Sequence, residues 1–226
     1  MATLAQIRQI EAALRGLSAR AQREFLALWT NTEPGYRRTR LVYDYFPALI
    51  ERYGSAAAVL GADVFEAEAV EMGIKPRVDL VPGVNAERAS ARLLAELNAT
   101  TTLASSLALV DELVKQPYRS TFQDSAIASG AGWARVPRGD TCAFCIMLAS
   151  RGGVYKTSDI AEFGYSGKKY HGECDCVPVL VRDEGDYPSG YDPDALYDKY
   201  MSARDQAGSG DTRQILASMR KLYDMH

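Results

Sequence analysis

All four cysteines of this chain fall in two short patches. "RGDTCAFC" carries Cys142-x-x-Cys145, and "YHGECDC" carries His171-x-x-Cys174-x-Cys176. The only other histidine is the terminal His226. This arrangement constrains the fold more than any other feature. Zinc takes four thiolate or imidazole ligands in a tetrahedron, commonly as two closely spaced pairs from separate turns. Cys142, Cys145, His171, Cys174 and Cys176 offer five candidates for four places, so the spacing leaves the ligand set open. Two other states fit the same residues. The thiols can pair as disulfides once the protein leaves a reducing compartment, or they can remain small buried apolar side chains. In every case the patches lie together and the loop between them is held at its base. A module of about fifty residues needs such a staple, because its own core is small.

The same residues give little to catalysis. His226 ends the chain, so a Ser-His-Asp or Cys-His arrangement would have to use His171, the best non-cysteine metal ligand. A thioredoxin-like βαβ setting for Cys142-x-x-Cys145 is missing. Glu173 faintly suggests a zinc deaminase, but there the histidine precedes the Cys-x-x-Cys. "EAE" at Glu66–Glu68 resembles the paired glutamates of ADP-ribosyltransferases, yet residues i and i+2 of a helix point to different sides. No catalytic residue is assigned, and the chain reads as a non-enzyme.

Ahead of the cysteines the pattern is helical. Leu4, Ile7, Ile10, Leu14, Leu17, Ala21, Phe25 and Leu28 recur in steps of three and four, which predicts one amphipathic helix to about Thr30. Its apolar stripe can pack within the chain or self-associate as a coiled coil. Pro34 and Gly35 break the pattern. A helix is expected over about 41–52, kinked or started late by Pro47, and another over 55–73, ended by Gly73. "IKPRVDLVPG" reads as a connector. Asn85 caps a helix to about Asn98. A further helix starts at Thr101 or Thr102, and Pro117 separates it from a short successor containing Phe122 and Ile127.

The pattern changes after Gly130. "GWARVP" alternates as a short strand does, Gly139 and Asp140 make a turn, and a helix runs from about Cys142 to Ser150. A Gly-rich loop reaches Lys169, and "CVPVLVRD" forms a second strand. Two helices, 193–206 and 212–223, complete an acidic tail. The expected fold is mainly α (α+β), organised as a helical region at 1–130, a Cys/His module at 131–182 and a polar helical tail at 183–226.

Net charge is −3 and pI about 5.5, which argues against a chain-wide electrostatic grip on nucleic acid. The charges at Arg8, Glu11 and Arg15 interrupt what would be an export signal. No apolar run approaches the roughly 18 residues of a membrane span.

"W-x-R-V-P-x-G-D-T-C-A-F-C-x-M-L-A-S-R-G" followed by "Y-H-x-x-C-D-C-V-P-V" resembles the C-terminal module of the Mu F-like minor capsid proteins, head morphogenesis proteins of tailed bacteriophages. Trp133, Cys142, Cys145, His171, Cys174 and Cys176 match that pattern. The family commonly has a basic residue inside the last Cys-x-Cys. This chain has Asp175, as members from phages of actinobacteria do. The resemblance implies a virion component assembled in the host cytoplasm at the portal or head interior. Its implied partners are the portal or major capsid protein and, weakly, packaged DNA, with no membrane. The cofactor candidate, one structural zinc, rests on the Cys/His spacing itself, with disulfides or free thiols as the alternatives. The alternative reading is a phage enzyme such as a capsid maturation protease or nucleotide-modifying domain.

Overall fold

The computed structural model describes residues 2–33, 39–98, 102–137, 141–153 and 174–225. His171, Glu173 and His226 lie outside the described residues, as do the Pro34–Gly35 break, Thr101, the Gly139–Asp140 turn and the loop of 154–169.

Helix α1 (Leu4–Asn31) opens with a capping box in which Thr3 and Gln6 satisfy each other's amides. Its apolar stripe is buried within the chain: Ile7, Ile10 and Leu14 face the sheet described below, and Ala21 and Phe25 face the helices. A π-helical stretch (Arg40–Tyr45) runs directly into α2 (Phe46–Glu71). The two helices expected here are one. Pro47 stands at the junction of the two, where the Val42 carbonyl, one π-turn before it, accepts from Ser90 Oγ at 2.8 Å, and Gly54 continues the helix. Gly73, in the left-handed region at φ 69°, ends α2 as expected, with Ile74 N–H donating to Ala69 C=O at 2.8 Å.

Helices α3 (Ala86–Asn98) and α4 (Leu103–Ala128) follow. Pro117 does not divide α4; the helix runs through it. The reason lies on α2. A Cβ at Gly54 would stand 3.3 Å from Pro117 Cγ, and one at Gly61 would stand 2.5 Å from the Tyr118 carbonyl oxygen. These glycines, two turns apart, let the backbones of α2 and α4 approach closely, and burial of the proline ring offsets its lost hydrogen bond. Phe25, Phe46, Leu49, Ile50, Val110, Leu113 and Val114 fill the helical core. Phe25 and Phe46 meet edge to face at 5.7 Å between centroids.

Strands β1 (Gly132–Val136) and β2 (Val177–Val181) pair antiparallel, with Trp133 opposite Leu180 and Arg135 opposite Pro178. The alternation in β1 does not mark one wet face, because every residue of both strands is buried. Ala134, Val136, Val177, Val179 and Val181 pack with α1, Ala57 and Tyr118. Trp133 and Leu180 pack on the other side with Phe65, Ala69 and Phe122. Residues from 1–130 and from 131–182 therefore share both cores.

Helix α5 (Ala143–Ala149) follows β1, and α6 (Pro193–Ala207) and α7 (Thr212–Tyr223) follow β2. The tail helices are not solvated on all sides: Ala203, Ile215 and Met219 cover Ile146, Met147 and Leu148 of α5. Tyr191 ties the chain before α6 to the end of α5 by donating to Ala149 C=O at 2.6 Å. The fold is mainly α with one small sheet, as expected.

Candidate metal centre

Cys142 is the N-cap of α5, with extended backbone, and Cys145 lies three residues on. That spacing puts both on one face of the first turn. On the other side, Cys174 and Cys176 are buried while Asp175 between them is not, an alternation of period two. The four thiols form one cluster, with Phe144 packed against it. Cys145, Cys174 and Cys176 carry sulfurs that all lie within 4.8 Å of one another. Cys145 Sγ is 3.3 Å from Cys174 Sγ, far beyond the 2.03–2.05 Å of a disulfide, and all four cysteines are free.

Four thiolates about 2.3 Å from a central zinc stand roughly 3.8 Å from one another. The three clustered sulfurs fit that spacing, so Cys145, Cys174 and Cys176 lie close enough to hold a metal ion. Cys142 completes the cluster at the surface side, and His171 lies outside the described residues.

The surroundings favour negative charge at the sulfurs. Arg119 of α4 and Arg135 of β1 are both buried. Arg119 donates through Nη2 to the Cys174 carbonyl, and Arg135 Nη2 lies 4.0 Å from Cys174 Sγ. Hydrogen bonds with Cys145 and Cys176 hold the Cys174 thiol well below its ordinary range, and the charges of Arg119 and Arg135 add to them against desolvation. Cys145 is driven the other way by hydrogen bonds with Cys142, Cys174 and Cys176 and by burial. Without metal, the neighbouring thiols and the two guanidinium groups favour the anionic form at Cys174 over the other thiols. With metal, two buried guanidinium groups would balance the charge left by three or four thiolates on a divalent ion.

A second, carboxylate-centred network fixes the Cys174–Cys176 segment. Asp175 meets Arg15 of α1 at 2.8 Å and Lys115 of α4 at 3.4 Å. Lys115 also pairs with Asp111 at 2.9 Å, and Ser18 donates to Asp111. The charge of Asp175 is thus matched by cations on both facing helices.

Sequence reasoning brought together the cysteines but missed Arg119, Arg135 and Lys115. A signal existed for Arg135, a charge in the middle of a strand whose neighbours are all apolar. Arg119 and Lys115 sit in a helix whose solvent face could not be told from its buried one. The glutamates at Glu66 and Glu68 do diverge: Glu66 is exposed, and Glu68 is buried and accepts the Leu180 N–H at 2.9 Å.

Fold and site together define a helical protein built around a two-stranded sheet, with a buried cysteine cluster at one end of that sheet. The chain belongs to the VG15 protein family, a family of viral (phage) proteins, whose model matches residues 1–203. No curated protein and no solved structure gives a significant match. Among the described residues, no helix is long and apolar enough to cross a membrane.

Proposed function

We propose that this chain is a minor capsid protein of a tailed bacteriophage, a component of the phage head that contacts the portal or major capsid protein and works by assembly rather than catalysis. The observation that carries the reading is the cysteine cluster within a phage-family chain. Its residues are those that match the Mu F-like pattern, and they join α5, β2 and, through Asp175, α1 and α4. In this role the cluster is a clip. It holds the sheet end against the helices so that the exterior faces keep a fixed geometry for docking. A structural zinc at Cys145, Cys174 and Cys176, with Cys142 or His171 as fourth ligand, would supply the closure energy that a small sheet lacks. Packaged DNA is at most a weak partner, given the acidic balance.

The test is mass spectrometry of gradient-purified virions, together with co-purification of the chain on tagged portal protein. The chain is expected in virions at a few copies, retained by the portal, and Cys174→Ser is expected to reduce its incorporation. Virions that lack the chain would overturn the reading.

A further inference from the structure

The connector between α2 and α3 is a built edge. Arg77 N–H donates to Ser129 Oγ at 2.8 Å, Asp79 N–H to Ser125 Oγ at 2.8 Å and Val81 N–H to Thr121 Oγ1 at 3.0 Å. The hydroxyls of Thr121 and Ser129 turn back toward the carbonyls of Val81 and Arg77 at 3.4 and 3.5 Å. The donors are two residues apart and the acceptors four. Two extended residues advance about 6.6 Å and four helical residues about 6.0 Å, so an extended strand running antiparallel to α4 matches the hydroxyl ladder. Pro76 and Pro82 bias the residues before them to the same extended conformation.

In an extended strand the backbone groups of alternate residues point to opposite sides. Those of 77, 79 and 81 face α4, so those of 76, 78 and 80 face away. The Val78 and Leu80 N–H groups have no hydrogen-bond partner among the described residues, and Val78 is 40% and Leu80 52% exposed. Arg77 and Asp79 side chains are exposed and in no ion pair with a described residue. The chain therefore presents an ordered strand edge with two free amides and two apolar side chains.

We propose that this edge pairs with the same edge of a second copy, as an antiparallel two-stranded ribbon centred on Val78. The charge order selects the occupant. A twofold axis through Val78 sets Val78 opposite Val78 and Arg77 opposite Asp79 of the partner copy, on both sides of the axis. The outward groups then bond in register: each Val78 N–H donates to the other Val78 C=O, and each Leu80 N–H to the other Pro76 C=O. Pro76 has no N–H to give, and in this register it acts only as acceptor. Arg77 and Asp79 fall in the non-hydrogen-bonded pairs, where cross-strand side chains stand closest. Such an interface is isologous and small, a weak dimer that a dense assembly would populate. The pairing stands whether or not the chain is a capsid component.

Sedimentation velocity of the full-length chain over a concentration series tests it. A reversible dimer is expected. Val78→Pro deletes an outward amide while leaving the three bonds to α4 intact, and it should weaken dimerisation at least about tenfold, two amides being lost per dimer. Arg77→Asp and Asp79→Arg should each abolish self-association by placing like charges opposite one another. An equimolar mixture of the two variants should regain a dimer, now a heterodimer, and so should the double variant R77D/D79R alone. A wild-type chain that stays monomeric, or a dimer indifferent to Val78→Pro and to the charge reversals, would overturn the proposal.

Discussion

Asp175, the residue between two cysteines of the cluster, lies 3.4 Å from the ammonium of Lys115, a side chain only 5% exposed on α4. Lys115 is held more tightly by Asp111, at 2.9 Å and equally buried. The two carboxylates therefore differ in what they lose. Lys115→Ala removes the buried ion-pair partner of Asp111 in a desolvated setting and should cost about 3–5 kcal/mol. Asp175→Asn leaves the Lys115–Asp111 pair in place and should cost about 1 kcal/mol or less, since Asp175 is partly solvated. Urea midpoints of the two variants check this, and equal losses would contradict the ranking.

Two glycines should respond in opposite directions. A Cβ at Gly61 would stand 2.5 Å from the Tyr118 carbonyl oxygen, whereas one at Gly16 meets nothing within 4 Å. Gly61→Ala must push α2 off α4 and should destabilise by about 1–3 kcal/mol or more. Gly16→Ala gains helix propensity and should stabilise by about 0.5–1 kcal/mol. Thermal melts of both variants beside wild type decide it.

The same close approach explains what could and could not be read from the sequence. The helices α1, α3, α6 and α7 follow from local periodicity and from a cap such as Asn85, which accepts the Arg88 N–H at 2.9 Å, because the side chains that define them are neighbours in the chain. Pro117 reads as a breaker by every local rule. Its burial against α2, at Gly54 sixty-three residues earlier and beside Gly61, is what lets the helix run through it. The cysteine cluster was legible because spacing in two patches is itself a statement about a shared site. The charges around it were not: Arg119 and Lys115 acquire their meaning from Cys174 and Asp175, which approach them only in three dimensions. The connector at 74–83 likewise carries no periodic signal, since its order comes from hydroxyls on another helix.

Glu68 gives a pH signature. Burial pushes its carboxyl up to about 7 from 4.5, against the single Leu180 N–H that favours the charged form. Its Oε1 has no partner among the described residues. The folded state thus binds a proton more tightly than the unfolded chain. The stability associated with it is complete below about pH 4.5 and is lost as pH rises through about 7, on the order of 3 kcal/mol in all. Glu68→Gln keeps an acceptor for Leu180 N–H without the charge. At pH 8 the variant should be more stable than wild type, and at pH 4 the difference should nearly vanish. Denaturant titrations at the two pH values measure it, and a pH-independent difference would remove the carboxyl as its source.

The cysteine cluster makes the last prediction. Three sulfurs within 4.8 Å of one another, two buried guanidinium groups beside Cys174, and one thiol held toward its anionic form describe a site whose charge is balanced when a divalent ion is bound. Metal analysis of the purified chain should find one zinc per molecule, with thiols that react slowly until a chelator is added. Removal of the ion should lower the melting temperature, because the binding free energy is part of the folding free energy. Zinc affinity should fall as pH drops, since each thiol must release its proton to bind. Cys176→Ala removes a ligand and should lose the metal, whereas Phe144→Leu, which changes only the apolar side chain packed against the cluster, should keep it. Two disulfides, or four thiols that react at once in the absence of chelator, would show that the cluster holds its segments together without an ion.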